Sequence, residues 1–229
     1  PEVEAHIALT FKVNVSNAED TSFLDLIGTR LPTLYEDLAW AGIQATPMDE
    51  AMVCARAHKF FNPAAEPDFE ELTVNGVDHG LEWEDVGPAW HQTDRATYHH
   101  ESCASMTWEM SAAPRSTFED SLLSGLVSSH PRIQRKRVAL CYRPYEAGQG
   151  ASRVEAEHRD AMVAANSSKK IRSASAEMRL EHTEAARRAQ ARGAQLGRYS
   201  LFVTATVAKG ESIERVRHDV QQLGAQANL

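Results

Sequence analysis

The ten residues Tyr199-Ser-Leu-Phe-Val-Thr-Ala-Thr-Val-Ala208 decide the fold class of this 229-residue chain. Leu201, Val203, Ala205 and Val207 occupy every second position, so an extended chain would place all four on one face. This alternation predicts a strand that buries one face and leaves the other accessible.

Three further segments, residues 5–15, 103–110 and 137–143, alternate in the same way. Alternating strands are typical of antiparallel sheets, whereas strands buried on both faces read as continuous apolar runs. The sequence therefore predicts an α+β fold in which helices cover one face of an antiparallel sheet.

Two helices are predicted between the first strand, at residues 5–15, and the second, at residues 103–110. Apolar residues recur every three or four positions over 23–38, where Gly28 and Pro32 are expected to kink or split the helix and Gly42 to stop it. A second helix is predicted from about residue 48 to a stop before Asn62-Pro63.

Two more helices are predicted further along the chain. Ser116-x-x-Glu119 has the pattern of a capping box and would open a helix that runs through Leu126 and closes at His130-Pro131. The last helix is predicted over 213–223, and Gly224 follows it.

Residues 62–95 show the weakest pattern in the chain. Within them Leu72-Thr-Val-Asn-Gly-Val77 predicts a small hairpin, because Asn-Gly supplies the positive φ angles of a type I′ turn.

Residues 152–196 differ in composition from the rest of the chain. They are rich in Ala, Arg and Glu, contain no Pro and carry few large apolar groups. A break at Asn166-Ser167-Ser168 would fold them into a helical hairpin, which we call the arm. Since such a segment buries little, we expect the arm to protrude and to meet partners.

From residue 102 onward the predicted order is strand, helix, strand, arm, strand, helix. One more strand after Leu229 would complete a ferredoxin-like unit, so the chain is expected to be a piece of a longer protein. We therefore divide it into residues 1–62, a strand and two helices packed on the core, residues 63–95, an irregular connection, and residues 96–229, the ferredoxin-like unit with the arm.

Charge and composition exclude several classes of protein. The net charge is −8, but residues 1–129 contain 6 Lys and Arg against 22 Asp and Glu, whereas residues 130–229 contain 18 against 10. Overall acidity argues against a general nucleic-acid binder and leaves a local one open. The sequence has no apolar run long enough to cross a bilayer, and its three separated cysteines favour a reducing compartment.

The candidate catalytic and metal-binding patterns are weak. Histidines and a cysteine gather at His79, His91, His99, His100 and Cys103, with Glu101 among them, but their spacing fits no common metal motif. Gly148-Gln149-Gly150 lacks the rest of a dinucleotide or P-loop motif, and Ser102 and Ser105 lie in no nucleophile elbow. We expect no enzyme activity, no metal, no cofactor and no small-molecule substrate.

Basic residues supply the candidate contact site. They gather where the strand 137–143 begins and along the arm: Arg135, Lys136, Arg137, Lys169, Lys170, Arg172, Arg187, Arg188 and Arg192. These residues could contact a partner or a phosphate backbone. Alternatively they form intrahelical ion pairs on a solvated helix, as the spacing of Glu184 and Arg188 predicts.

Several stretches resemble an actinobacterial family of conjugative type IV secretion system proteins, similar to the N-terminal, non-ATPase region of VirB/TrbE/CagE-type assembly ATPases. These stretches are Asp85-Val-Gly-Pro-Ala-Trp90, Tyr98-His-His-Glu-Ser-Cys-Ala-Ser-Met-Thr-Trp108, Pro114-Arg115, Arg135-Lys-Arg-Val-Ala-Leu-Cys-Tyr-Arg-Pro144, and the arm with the strand and helix that follow it. The resemblance implies membrane-spanning segments upstream and a separate ATPase as partner.

The absence of a catalytic motif from the sequence favours a non-catalytic scaffold, and the resemblance implies that it acts on the cytoplasmic side of a conjugation channel. Its expected partners are the type IV secretion ATPase, membrane channel subunits and a second copy of the chain. The alternative is a DNA-contacting module that uses the basic residues and the arm.

Overall fold

The computed structural model describes residues 4–10, 21–111, 123–166, 174–194 and 196–227. The helices in these ranges are α1 (Ser22–Trp40), α2 (Glu50–Phe61), α3 (Glu66–Val74), α4 (Ser124–Val127), α5 (Ala147–Asn166), α6 (Ala174–Ala191) and α7 (Ile213–Gln226). The strands are β1 (His91–Asp94), β2 (Thr97–His100), β3 (Cys103–Glu109), β4 (Arg135–Pro144) and β5 (Gly197–Ala208).

The strands form one open sheet in the order β1-β2-β3-β5-β4. The β4–β5 pair is antiparallel over ten positions, from Arg135 opposite Thr206 to Pro144 opposite Gly197. An antiparallel register also joins β3 to β5, with the Met110 amide donating to the Leu201 carbonyl at 2.9 Å. The predicted α+β class with an antiparallel sheet is therefore confirmed.

The chain divides into two compact units. The first contains residues 1–105 and 207–213, and the second contains residues 106–206 and 214–229. The three-part division expected from the sequence, at residues 62 and 95, stays a prediction.

In the first unit, α2 begins where the sequence predicts. The Asp49 carboxylate accepts the Met52 amide at 2.8 Å and so caps the first turn. The Cys54 side chain on this helix is buried. By contrast α1 contains no buried residue, and Pro32 lies inside its continuous range.

In the second unit, the core lies on one face of β5. Leu201, Val203 and Ala205 are buried, as are Val216 and Val220 of α7. At the end of β5 the alternating pattern continues to Val207, which is also buried. The face predicted for this strand is therefore confirmed.

A buried ion pair joins the chain before β4 to α7. The guanidinium of Arg132 donates to the Asp219 carboxylate at 2.6 Å, and Asp219 is buried although Arg132 is mostly exposed. Because a buried carboxylate needs a compensating charge, this contact fixes the start of β4 against the helix.

Two local predictions are wrong. Residues 4–10 form no strand, although alternation predicted one over 5–15, and residues 11–15 of that prediction lie outside the described residues. A strand needs a partner to accept its backbone hydrogen bonds, and alternation alone does not show that one exists.

The hairpin expected at residues 72–77 is instead the end of α3. Asn75 has a negative φ, so the two consecutive positive φ values of a type I′ turn are absent there. Gly76, with φ +64°, stands just beyond the helix, where a left-handed glycine is common.

The capping box at Ser116 and Glu119 lies outside the described residues, and only α4 is seen of the helix that it would open. Within the described part of the chain, no helix combines the length and the apolar character needed to span a membrane.

Candidate interaction surfaces

The three basic residues at the start of β4 point to different faces. Lys136 lies on the same face as Val138, and its ammonium group donates to the carbonyl oxygens of Ser128 at 2.7 Å and Gly125 at 3.4 Å. These carbonyls belong to the end of α4, where a cation is favourable. Burial lowers the pKa of this ammonium group. Lys136 therefore has hydrogen-bond partners within the chain, and its contact with a partner stays a prediction.

Arg135 and Arg137 lie on the opposite face of β4. They stand opposite Thr206 and Thr204 of β5. The Thr204 hydroxyl is in turn 2.9 Å from the hydroxyl of Thr107 on β3, so a polar row crosses three strands. Burial of part of the Arg137 side chain lowers the pKa of its guanidinium.

The arm is a helical hairpin, as predicted. On α5 the residues Val154, His158, Ala161 and Ala165 are buried and follow helical spacing. His158 faces α6, with Nδ1 3.3 Å from the Thr183 hydroxyl and Nε2 3.4 Å from the Glu184 carboxylate. A narrow stripe of small side chains therefore closes this hairpin, with one polar contact in its middle.

Glu184 also binds two of the candidate arginines. Its carboxylate is 3.3 Å from Nε of Arg187 and 3.2 Å from Nε of Arg188. The predicted Glu184–Arg188 pair is thus confirmed, and both arginines have partners within their own helix. Arg192 is exposed beyond the end of α6, and Lys169, Lys170 and Arg172 lie outside the described residues.

The distal end of the arm exposes apolar side chains. The exposed fractions are 44% for Met162, 67% for Val163 and 51% for Met178. Because His158 is level with Thr183, the antiparallel course of the helices brings Met178 level with Met162 and Val163 along the hairpin. At about 100° per residue, Val163 and Met178 lie on the sides of their helices that face away from the seam. We call these three residues the apolar tip.

The histidines near β2 have structural contacts. His100 is almost fully buried, and Nδ1 donates to the Phe61 carbonyl, which leaves Nε2 to accept from the Ser105 hydroxyl at 2.7 Å. Tyr98 lies between His91 and His100, with ring contacts to both. No group of three or more His, Cys, Asp or Glu side chains in the described ranges is placed to hold a metal ion. The sequence alone did not predict this hydrogen-bonded link from α2 to β2.

The two glycines of Gly148-Gln149-Gly150 lie in the first turn of α5. Gly150 is buried, and a Cβ atom there would lie 3.5 Å from the Cβ of Leu196. A Cβ at Gly150 would therefore make only an ordinary van der Waals contact, and packing does not require a glycine there.

Two arginines that the sequence analysis did not select belong to the face of Arg135 and Arg137. Arg143 and Arg198 are directly opposite each other in the β4–β5 register. Arg143 is six residues from Arg137 on β4, and Arg198 is six residues from Thr204 on β5. Because residues an even number apart on a strand share a face, this spacing could have identified both arginines from the sequence.

Comparisons with protein-family models, with curated proteins and with solved structures found no match for this chain.

Proposed function

We propose that the chain is a non-catalytic docking module of a conjugative type IV secretion machine, acting at the cytoplasmic side of the membrane. Its partner would be the assembly ATPase or a channel subunit, and the arm would make the contact. The apolar tip is the observation that carries this proposal.

The exposed side chains of the tip have the chemistry of protein contacts, and they would meet a partner that covers both sides of the hairpin. Exposed apolar side chains lose contact with water when a partner covers them, at roughly 25 cal/mol per Å². Methionine adapts its shape to a partner more readily than branched side chains do, and it is enriched at interfaces. In this arm Met162, Val163 and Met178 are exposed, whereas Val154, His158, Ala161 and Ala165 are buried in the helix–helix seam.

The proposal includes a ferredoxin-like core in the second half of the chain. The order β3, α4, β4, arm, β5, α7 follows the first three strands and two helices of such a unit. The sheet order β3-β5-β4 also agrees with it, although β2 occupies the position beside β3 that a fourth strand would take. With helices on one face of this core, the arm interrupts the β4–β5 connection.

The resemblance to the secretion family adds support where its stretches coincide with regular elements. The stretch 98–108 covers most of β2 and β3, and the stretch 135–144 is β4. The pair Pro114-Arg115 lies outside the described residues. The shared stretches thus belong to the sheet whose strands β4 and β5 flank the arm in the chain.

The test compares two variants that add the same charge to the arm. The tip variant carries Met162→Glu, Val163→Glu and Met178→Glu, and the control carries Ala156→Glu, Ala185→Glu and Ala186→Glu at exposed positions along the hairpin. Each protein is tagged, expressed in a conjugating host and purified, and the associated proteins are identified by mass spectrometry.

We expect the wild type and the control to retain an assembly ATPase or channel subunit, and the tip variant to lose it at least about tenfold. Equal recovery by all three proteins, or recovery of no secretion component by the wild type, would contradict the proposal.

A further inference from the structure

One face of the β4–β5 ribbon carries four arginines. The register places Arg135 opposite Thr206, Arg137 opposite Thr204, and Arg143 opposite Arg198, all on the same face. Between them, Phe202 stands opposite Ala139. We call this set, Arg135, Arg137, Arg143, Arg198 and Phe202, the arginine face.

The opposite face of the same ribbon is apolar. Val138 pairs with Val203, and Leu140 pairs with Leu201. Since Leu201 and Val203 belong to the core, the two faces of the ribbon have separate roles. The arginine face is the one that faces away from the core.

Glu109 of β3 is the acidic residue that shares this face among the described strand positions of the second unit. The antiparallel register that pairs Thr107 with Thr204 places Glu109 beside Phe202. At these described strand positions, one carboxylate shares the face with four guanidinium groups, of which those of Arg143 and Arg198 belong to exposed residues.

Much of this face is accessible, although Thr206 beside Arg135 is buried. Arg143 and Arg198 are exposed, and Phe202 and Thr204 are partly exposed. Arg198 also lies over the ring of Tyr145, with its guanidinium carbon 5.7 Å from the ring centre, which holds that side chain in place.

We propose that the arginine face binds single-stranded nucleic acid, with phosphates on the arginines and a base stacked on Phe202. This site goes beyond the docking function of the arm and does not depend on it. It also differs from the basic site expected from the sequence, because it excludes Lys136 and includes Arg143 and Arg198.

The spacing and the chemistry of the face support this ligand. Residues two apart on a strand are about 6.8 Å apart, so Arg135 and Arg137 can contact successive groups along an extended chain. The guanidinium group matches phosphate oxygens in a bidentate fashion. An aromatic ring on an open sheet is a stacking platform for an unpaired base, which a duplex does not offer.

An acidic peptide would satisfy the arginines but would not need the ring. Phe202 therefore distinguishes the two ligands, because stacking contributes about 1 to 3 kcal/mol per base.

The experiment measures fluorescence anisotropy of a labelled oligothymidylate of about 16 nucleotides, titrated with the whole chain at about 50 mM and about 200 mM salt. The variants are Arg137→Gln, Arg143→Gln, Phe202→Leu and, as a control with equal loss of charge on the other face, Lys136→Gln. Far-UV circular dichroism checks that each variant is folded. If Arg137→Gln does not fold, Arg143→Gln still tests the proposal, because Arg143 is exposed.

We expect each arginine variant to weaken binding about five- to tenfold at low salt and to lower the salt slope by roughly 0.7, while Lys136→Gln stays within about twofold of the wild type. Phe202→Leu should weaken binding at least about fivefold without a change in slope.

Three results would overturn the proposal: no binding at low salt, an equal effect of Lys136→Gln and Arg143→Gln, or competition by polyglutamate as strong as by oligothymidylate with no effect of Phe202→Leu. The last result would assign the face to an acidic protein segment instead.

Discussion

The β4–β5 ribbon and the α5–α6 arm, which lies between the two strands in the chain, are stabilised in different ways. The ribbon buries large apolar side chains on one face, among them Leu201 and Val203. The arm closes on Ala161, Ala165 and a few larger residues, and α6 contains no buried residue. The ribbon therefore buries more apolar surface and contributes more to stability, whereas the arm leaves apolar side chains exposed and available for binding.

This difference gives the two proposed surfaces different chemistry, because the arginine face is charged and the apolar tip is not. The ribbon can expose arginines because its other face supplies the burial that folding requires. The arm exposes Met162, Val163 and Met178 because its seam does not use them. The following variants test whether stability and exposure are distributed in this way.

The largest effect is expected within the ribbon, from a pair of leucines that face each other in the register. Leu201 is 4% exposed and Leu140 is 63% exposed. Leu201→Ala should lower the free energy of unfolding by about 2 to 4 kcal/mol, because it removes buried methyl groups and leaves a cavity. Leu140→Ala should lower it by less than about 0.5 kcal/mol. Urea denaturation followed by circular dichroism measures both, and similar losses would show that burial of Leu201 contributes no more to stability than the exposed Leu140 on the same face.

The next effect is expected in the seam of the arm. Ala161 is fully buried, so Ala161→Leu should cost about 1 to 3 kcal/mol through overpacking. The same change at the exposed Ala156 serves as the control and should have little effect. Hydrogen exchange of α5 and α6 amides reads the change locally. Faster exchange after Ala161→Leu alone is the expected result, whereas unchanged exchange would show that the helices are held by something else.

Lys136→Met should have a smaller effect. The ammonium group donates to two carbonyl oxygens at the end of α4, and removing it leaves those acceptors to water. Because Lys136 is partly exposed, we expect a loss of about 1 kcal/mol in the free energy of unfolding by urea denaturation. A loss near zero would mean that these hydrogen bonds do not stabilise the end of α4.

The smallest effect is expected on the surface of the arm. Arg188→Gln removes an exposed pair with Glu184, and Arg187 remains as a second partner of that carboxylate. The free energy of unfolding should fall by less than about 0.5 kcal/mol. A loss above about 1 kcal/mol in thermal or urea denaturation would indicate that this ion pair, and not the alanine seam, closes the hairpin.

The sequence predicts β5 well because its alternation coincides with real burial, whereas Leu140 and Tyr142 continue the same pattern in β4 and are exposed. It fails at residues 5–10, where the same alternation finds no partner strand. At Asn75-Gly76 the dipeptide suits both a hairpin turn and a helix end, since both use a glycine with positive φ. Only the preceding helix α3 decides between them.

The candidate site is recoverable from the sequence only in part. The sequence groups Arg135, Lys136 and Arg137 together, because the three basic residues are consecutive. Assigning each of these residues to a face of the sheet requires knowing that residues 135–137 form a strand, in which alternate side chains point to opposite faces. Adding Arg198 to the site requires the pairing of β4 with β5. The apolar tip requires the register of the arm helices, which composition does not give.

The docking role is tested most directly by conjugation frequency in a host whose copy of this gene has been deleted and replaced by a variant. We predict that the wild type and the control with three added glutamates along the hairpin restore transfer. The variant with Met162→Glu, Val163→Glu and Met178→Glu should reduce transfer at least about tenfold at equal protein level. Full transfer by the tip variant, or full transfer without the gene, would contradict the account.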